Sequence, residues 1–400
     1  MNECEKNQIL FFNKNTIKSN FEADIHISCN PTTAATKILK KGKNMKLVIQ
    51  KNLLNNALIN LVAFTEKKDA SAVTSNILII AKENILNLKA TDFEIGLCVN
   101  IKEVNIQVDG ISCVNGNLLL NILKGLKDGE IILEIMNNFL FIRQNRSKFK
   151  LPLSNPENFP SFESIENKKS FNINSLNFAR SLKKIFPTID VNNPQYSLNG
   201  ALIDIKENYI NLVGTDTKRL GLYRINLNQS LENNQIIIPK KAINEIQKLF
   251  FEDVQIYYDE NILIAKNENF EFFTKLINKK FPNYEKVIPT EFSQSIMLPR
   301  DKFLEGMKTI GIICDKMQIT IKTNSILFES ISENNSEAKT EIDFENNLDK
   351  DIILRVTNKF IFDFLNNIEE TEFKLDYKST ESAFVLSSNE FISVIMPTII

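Results

Sequence analysis

Two stretches of the chain are nearly the same sentence. KENILNLKATD (residues 82–92) and KENYINLVGTD (206–216) share KENxxNLxxTD without a gap, 124 residues apart. Downstream, NFPSF (158–162) is echoed by KFPNY (280–284), 122 residues apart. Two separate matches at almost one period mark a tandem repeat, which constrains the fold more than any composition can. The neighbouring segments repeat in order as well. A short strand and an amphipathic helix open each copy, in MKLVIQKNLLNNALINLVAF, KSFNINSLNFARSLKKIF and SQSIMLPRDKFLEGMKTIGII. Strands of period two follow, in SNILIIAKENILNLKATD, NGALIDIKENYINLVGTD and MQITIKTNSILFESIS. A strand with a second helix comes next, then a hairpin-like set such as DVQIYYDENILIAKNENFEFFTKLI.

The pattern predicts an α+β fold built of three tandem units, each β-α-β-β-β-α-β-β-β. Expected domains are 45–168, 169–289 and 290–400, with boundaries after the FPxF and FPxY segments, where each Pro favours an extended connector. About 120 residues per unit is an ordinary domain size. Residues 1–44 show no sustained periodicity and read as a leader, a misassigned start or a weakly ordered arm, with Met45 opening the folded body; a short extra strand is the other reading. The third copy has no FPxY, and the chain stops at MPTII, where that connector would start.

Composition removes several functions. The sole histidine of the 400 residues is His26, outside the repeats, so the body lacks the commonest general base and metal ligand. No GxxxxGK[ST] or GxGxxG motif occurs, and glycine is scarce, at 11. Five scattered cysteines without a CxxC pair suggest reduced thiols in a cytoplasmic protein. No uncharged apolar run reaches the roughly 18 residues of a membrane span. No catalytic residue, metal site or cofactor is expected. Net charge is −1, yet Lys and Arg recur on matching helices of all three units: Lys124 and Lys127; Arg180, Lys183, Lys184, Lys240, Lys241 and Lys248; Arg300, Lys302, Lys308 and Lys359. A basic helix layer balanced by acidic strands and loops is hidden by a net charge near zero. An enzyme on a threefold scaffold and a peptide-binding scaffold without DNA are the competing readings.

With YSLNG, NGALIDIKENYINLVGTDTKRLGLYR, KFPNYEKVIP and terminal VIMPTII, the chain from Met45 to Ile400 resembles the bacterial replicative sliding clamps, the β subunits of DNA polymerase III. That resemblance implies a non-catalytic processivity factor. It implies a head-to-tail homodimeric ring with sheets outside and helices inside, sliding on duplex DNA. The implied partners are the replicative polymerase, the clamp loader, and repair polymerases, ligase and mismatch-repair factors. DNA contacts are expected from Lys68, Asn192 and Tyr196, together with Lys124, Lys240, Lys241 and Lys248. A groove for short peptides bearing Gln and apolar anchors is expected between the second and third domains. Its walls would be Leu198, Thr215, Thr217, Lys218, Arg219 and Leu220; Pro282, Lys286 and Val287; and Val394, Met396, Pro397, Thr398, Ile399 and Ile400. The chain departs from the family in Thr217-Lys218, often Gly-His, in Ser197, often aromatic, and in its Thr-Ile-Ile end. Asp216, matched by Asp92, is expected to satisfy turn amides.

Overall fold

In the computed structural model the described residues are 44–67, 69, 72–249, 253–331 and 337–398; the expected leader, with His26, lies outside them. The first copy of the pattern comprises β1 (Lys46–Gln50), α1 (Lys51–Leu61), β2 (Asn76–Lys82), β3 (Ile85–Thr91), β4 (Ile95–Ile101), β5 (Val104–Val108), β6 (Gly110–Asn115), α2 (Gly116–Gly125), β7 (Glu130–Met136), β8 (Phe139–Gln144) and β9 (Ser147–Pro152). The second comprises β10 (Lys169–Ile173), α3 (Ser175–Ile185), β11 (Gly200–Ile205), β12 (Tyr209–Thr215), β13 (Arg219–Asn226), β14 (Asn234–Pro239), α4 (Lys240–Leu249), β15 (Val254–Tyr258), β16 (Ile262–Lys266) and β17 (Phe270–Lys275). The third comprises β18 (Gln294–Pro299), α5 (Arg300–Gly311), β19 (Lys316–Ile321), β20 (Ser325–Ile331), β21 (Lys339–Asp343), β22 (Ile352–Thr357), α6 (Asn358–Leu365), β23 (Glu372–Tyr377), β24 (Phe384–Ser388) and β25 (Phe391–Ile395).

The α+β expectation holds, with one correction to the unit. Four strands, not three, separate the two helices in the second and third copies, and five do so in the first. In the first two copies an added strand follows the TD turn (β4, β13), β21 holds the matching place in the third, and the first copy adds β5 as well. The strand before the turn carries the same alternation, so strand, turn and strand read as one segment. Helix starts follow their caps: the Asn174 side chain accepts from the Asn177 amide at 3.0 Å, and Asn115 accepts from Leu118 at 3.0 Å. On α3, Phe178, Leu182 and Ile185 fall on one face and are buried. Each such side chain contributes about 1.5–3 kcal/mol by leaving water.

The sheets cross from copy to copy. Order β10-β15-β16-β17-β4-β3-β2-β6 makes one eight-stranded sheet, and β14-β11-β12-β13-β25-β24-β23-β18 another. Both crossings are antiparallel and share a register: Phe272 faces Leu97 and Ser393 faces Gly221, five pairs in each case. At the two ends, β5-β1-β7-β8-β9 and β21-β20-β19-β22 stay separate. The residues after each closing strand also match. Ser154 donates to the Cys113 carbonyl at 2.8 Å, Ile277 to Ile237 at 2.9 Å, and Thr398 to Arg355 at 2.8 Å. Met396–Thr398 therefore occupy the place from which the first two copies launch their connectors.

The second connector is pinned by Tyr284. Its buried hydroxyl donates to Asp204 Oδ2 at 2.7 Å and accepts from Asn211 Nδ2 at 2.9 Å. Burial, then the bond to Asp204, pushes its pKa above the ordinary tyrosine range. An unfolded tyrosine ionises near pH 10 while Tyr284 stays protonated, so this contribution is complete below about pH 10 and falls as pH rises further. Tyr284→Phe should lower urea-unfolding stability by about 1–3 kcal/mol near pH 8, because Asp204 loses a donor, and should flatten the alkaline decline. Equal stability and an unchanged alkaline slope would refute the pin.

Candidate partner groove and inner helices

The TD element is a turn that closes on itself. Asp216 Oδ1 accepts from the amides of Lys218 and Arg219, both at 3.0 Å, and Thr215 Oγ1 donates to the Arg219 carbonyl at 2.7 Å while accepting from the Thr217 amide at 3.1 Å. Asp92 and Thr91 repeat these bonds onto Glu94, Ile95 and Phe93. The third residue is left-handed in both turns, with φ +74° at Thr217 and +72° at Phe93. Asp216 is thus a turn residue, as the repeat suggests.

Around this turn the structure gathers most of the expected wall residues. Leu198, Leu220 and Val394 are buried in one apolar cluster with Leu222, Phe281 and Tyr284. Leu220 sits opposite Val394 in the sheet crossing. The Lys218 carbonyl accepts from the Met396 amide at 3.0 Å and so ties the tail to the turn. Val287 and Met396 are 56% and 50% exposed, a large apolar surface for side chains lying beside a core. Pro282 and Lys286 are exposed on the connector, and Pro397 and Thr398 are half-buried. Ile399, Ile400 and Lys68 lie outside the described residues. The matching position in the first crossing is filled. There Gly96 replaces Leu220, Phe273 replaces Val394, and a Cβ on Gly96 would come within 2.1 Å of the Phe273 ring, which packs edge-on to Phe162 at 4.9 Å.

Arg219 lies behind the turn rather than on its surface. Its side chain is 3% exposed, with Nε donating to Asp216 Oδ2 at 3.0 Å, one terminal nitrogen to Asp363 Oδ2 at 2.7 Å, and the other to the Pro187 carbonyl at 2.7 Å. The guanidinium also lies 4.5 Å from the centre of the Phe360 ring. Reading the sequence alone could not orient it, because Asp363 is 144 residues away.

The residues expected to face DNA are spread over several elements. Tyr196 is 70% exposed on a 3₁₀ turn (Tyr196–Leu198), not at a strand end, and Asn192 is exposed nearby, while Ser197 is buried and accepts from Gln195 Nε2 at 3.2 Å. Lys124 is exposed in the last turn of α2. Lys240 donates to the Ile189 carbonyl at 2.6 Å and lies over Phe186. Burial lowers its pKa; Asp190 opposes this, and Lys359 and Arg219 add to it. Lys241 pairs with Asp92 at 2.5 Å and Glu94 at 2.9 Å, and these hydrogen bonds outweigh burial and raise its pKa. Lys248 pairs with Glu245 at 2.9 Å. Among the described residues, no group of three or more His, Cys, Asp or Glu side chains is placed to hold a metal, and no helix is long and apolar enough to cross a membrane.

Thr217 is β-branched yet left-handed, which costs about 1–2 kcal/mol relative to glycine. Thr217→Gly should therefore raise unfolding free energy by about 1 kcal/mol, after the greater entropy of an unfolded glycine is subtracted. A loss of stability would show that the threonine side chain holds the turn.

The family model for the N-terminal domain of the DNA polymerase III beta subunit matches residues 45–163, and that for its central domain matches 172–283. The beta sliding clamp of Helicobacter pylori (strain J99 / ATCC 700824) is 37% identical over 350 residues, covering 86% of this chain and 94% of that protein. The Rickettsia felis beta sliding clamp is 26% identical over 377 residues, covering 88% and 99%. The solved structure of the Helicobacter pylori beta clamp bound to DNA ligase peptide superimposes with a TM-score of 0.83 at 36% identity, covering 89% of this chain and all of that one. The Pseudomonas aeruginosa DNA polymerase III subunit beta shares the fold, with a TM-score of 0.84 at 22% identity. With its threefold repeat, its fused sheets and these relatives, the chain belongs to the bacterial beta sliding clamp family.

Proposed function

We propose that two copies of this chain close head to tail into a ring around duplex DNA, and that the groove between the second and third domains tethers polymerase and other partners to it. The domains are 45–168, 169–289 and 290–400, with 1–44 outside them. The observation carrying this reading is the pair of unfused end sheets. In both crossings a closing strand (β17, β25) pairs with the strand after a TD-type turn (β4, β13). The counterparts β9 and β21 are edge strands among the described residues. Long edges with unmet backbone donors and acceptors are seldom left bare. Carrying the shared register to a second copy sets Phe149 opposite Ala338 and Lys150 opposite Glu337. On one face Lys150 then meets Glu337 and Arg146 meets Glu341, two opposite-charge pairs that flank Lys148 opposite Lys339.

The helix ends support the same seam. Ile312 is 83% exposed and Ile313 46%, at the positions that Pro187 and Thr188 hold in the second copy. Leu118, also exposed, corresponds to Phe360, which lies under Arg219 at the second crossing. An apolar patch on each side of the unpaired edges matches what a second copy would cover.

Members of this family do no covalent chemistry, and the residues here suit that role. Exposed lysines on inner helices attract phosphates without reading bases, so the ring slides. Apolar Leu198, Leu220, Val287, Val394 and Met396 form anchor pockets for an extended peptide, and methionine adapts to varied partners. The ligase peptide bound by the Helicobacter pylori clamp supports peptides of that kind, and we extend the partners to polymerase, clamp loader, repair polymerases and mismatch-repair factors. Their setting would be the cytoplasm, where replication occurs.

The decisive experiment loads the chain onto nicked circular plasmid and then cuts the plasmid. Retention on the circle at about 0.2 M salt, followed by loss on linearisation, is expected, because phosphate contacts alone are too weak at that ionic strength. Equal retention on linear DNA, or sequence-selective binding, would overturn the ring.

A further inference from the structure

Both crossings brace the TD-type turn against the second helix of the next copy, but with opposite polarity. In the first, the turn supplies anions: Lys241 of α4 reaches Asp92 and Glu94 and remains 48% exposed. In the second, the turn supplies the cation: Arg219 reaches back to Asp363 of α6 and is 3% exposed. A desolvated pair with several hydrogen bonds fixes geometry far better than an exposed lysine pair. Arg219 is otherwise occupied by its own turn, through Asp216, and by the Pro187 carbonyl. The same turn presents the Lys218 carbonyl to the Met396 amide.

We propose that Asp363 is a positioning residue for the partner groove: from the helix layer, through Arg219, it holds the turn that fixes the tail forming one groove wall. This rests on the groove assigned above. The Asp363 carboxylate bonds to Arg219 and Lys359, of which Arg219 alone belongs to the expected wall, so its effect on a bound peptide would travel through the strut. Lys359, four residues earlier on α6, shares the Asp363 carboxylate at 2.8 Å and is 67% exposed. The carboxylate thus joins the groove's strut to a cation of the helix layer. Neutralising Asp363 leaves the buried guanidinium with Asp216 of its own turn as its remaining ion-pair partner, breaks the charged link to α6 and frees the turn to shift.

The test measures a fluorescent synthetic peptide with one Gln and two apolar anchors against the full chain by anisotropy, alongside hydrogen exchange at the Met396 amide. Asp363→Asn should weaken the peptide at least tenfold and speed Met396 exchange at least tenfold, while exchange at Val385 in β24 stays within twofold. The exposed partner of another arginine, Asp301, provides the control: Asp301→Asn should change neither reading. Peptide affinity and Met396 exchange both within twofold of wild type in Asp363→Asn would overturn the proposal. If wild type fails to bind the peptide, the groove assignment falls, and Met396 exchange alone then decides the strut. Should Asp363→Asn not fold, Asp363→Glu decides instead, with a threefold loss in both readings supporting the strut and no change overturning it.

Discussion

Backbone pairing between successive copies of one repeat governs this structure. Each crossing joins two four-stranded half-sheets through five residue pairs in a register that recurs. Strand pairing is directional and period-two, so a slip of one residue would turn every buried side chain outward. The crossings therefore set the angle between copies and the course of the connectors. Through the second of them β25 both closes the third copy and joins it to the second.

The helices answer to the same constraint. Their apolar stripes pack on the sheets, and their opposite faces carry Lys124, Lys240, Lys241, Lys248 and Lys359. Several of these ammonium groups are held by neighbouring carboxylates or carbonyls. Lys241, Lys248 and Lys359 remain 48–67% exposed, so their pairings are worth little, and on the proposed reading a DNA phosphate competes with them, whereas Lys240 is bonded to the carbonyl of buried Ile189. A layer of weakly held cations favours sliding over gripping.

Much of this was legible in the sequence, for identifiable reasons. The TD pair recurs because an aspartate and a threonine satisfy four groups of a tight turn, and local hydrogen bonding leaves a local signature. The FPxY segment recurs because Phe281 and Tyr284 must be buried for the connector to lie down. Other features had no local trace. The strand after the TD turn merged with its neighbour because both share one alternation. The inward aim of Arg219 depends on Asp363, far along the chain, so its burial left no local trace. The filled first crossing follows from Gly96 meeting Phe273, a pair that no period connects.

The apolar tail shows how position confers a role. In the first two copies the residues after the closing strand lead into a connector, and in the third they keep the same backbone anchor, from Thr398 to the Arg355 carbonyl. The central claim is that the unpaired edges β9 and β21 meet between copies in the register of the two internal crossings. Phe149→Cys together with Ala338→Cys tests it directly. Opposed residues of an antiparallel pair have Cα atoms about 4.5–5.5 Å apart, within disulfide reach. Mild oxidation should yield a covalent two-chain species on denaturing gels that reverts to one chain on reduction. No cross-link, or one that forms as readily from Lys148→Cys with Ala338→Cys, would contradict the shared register.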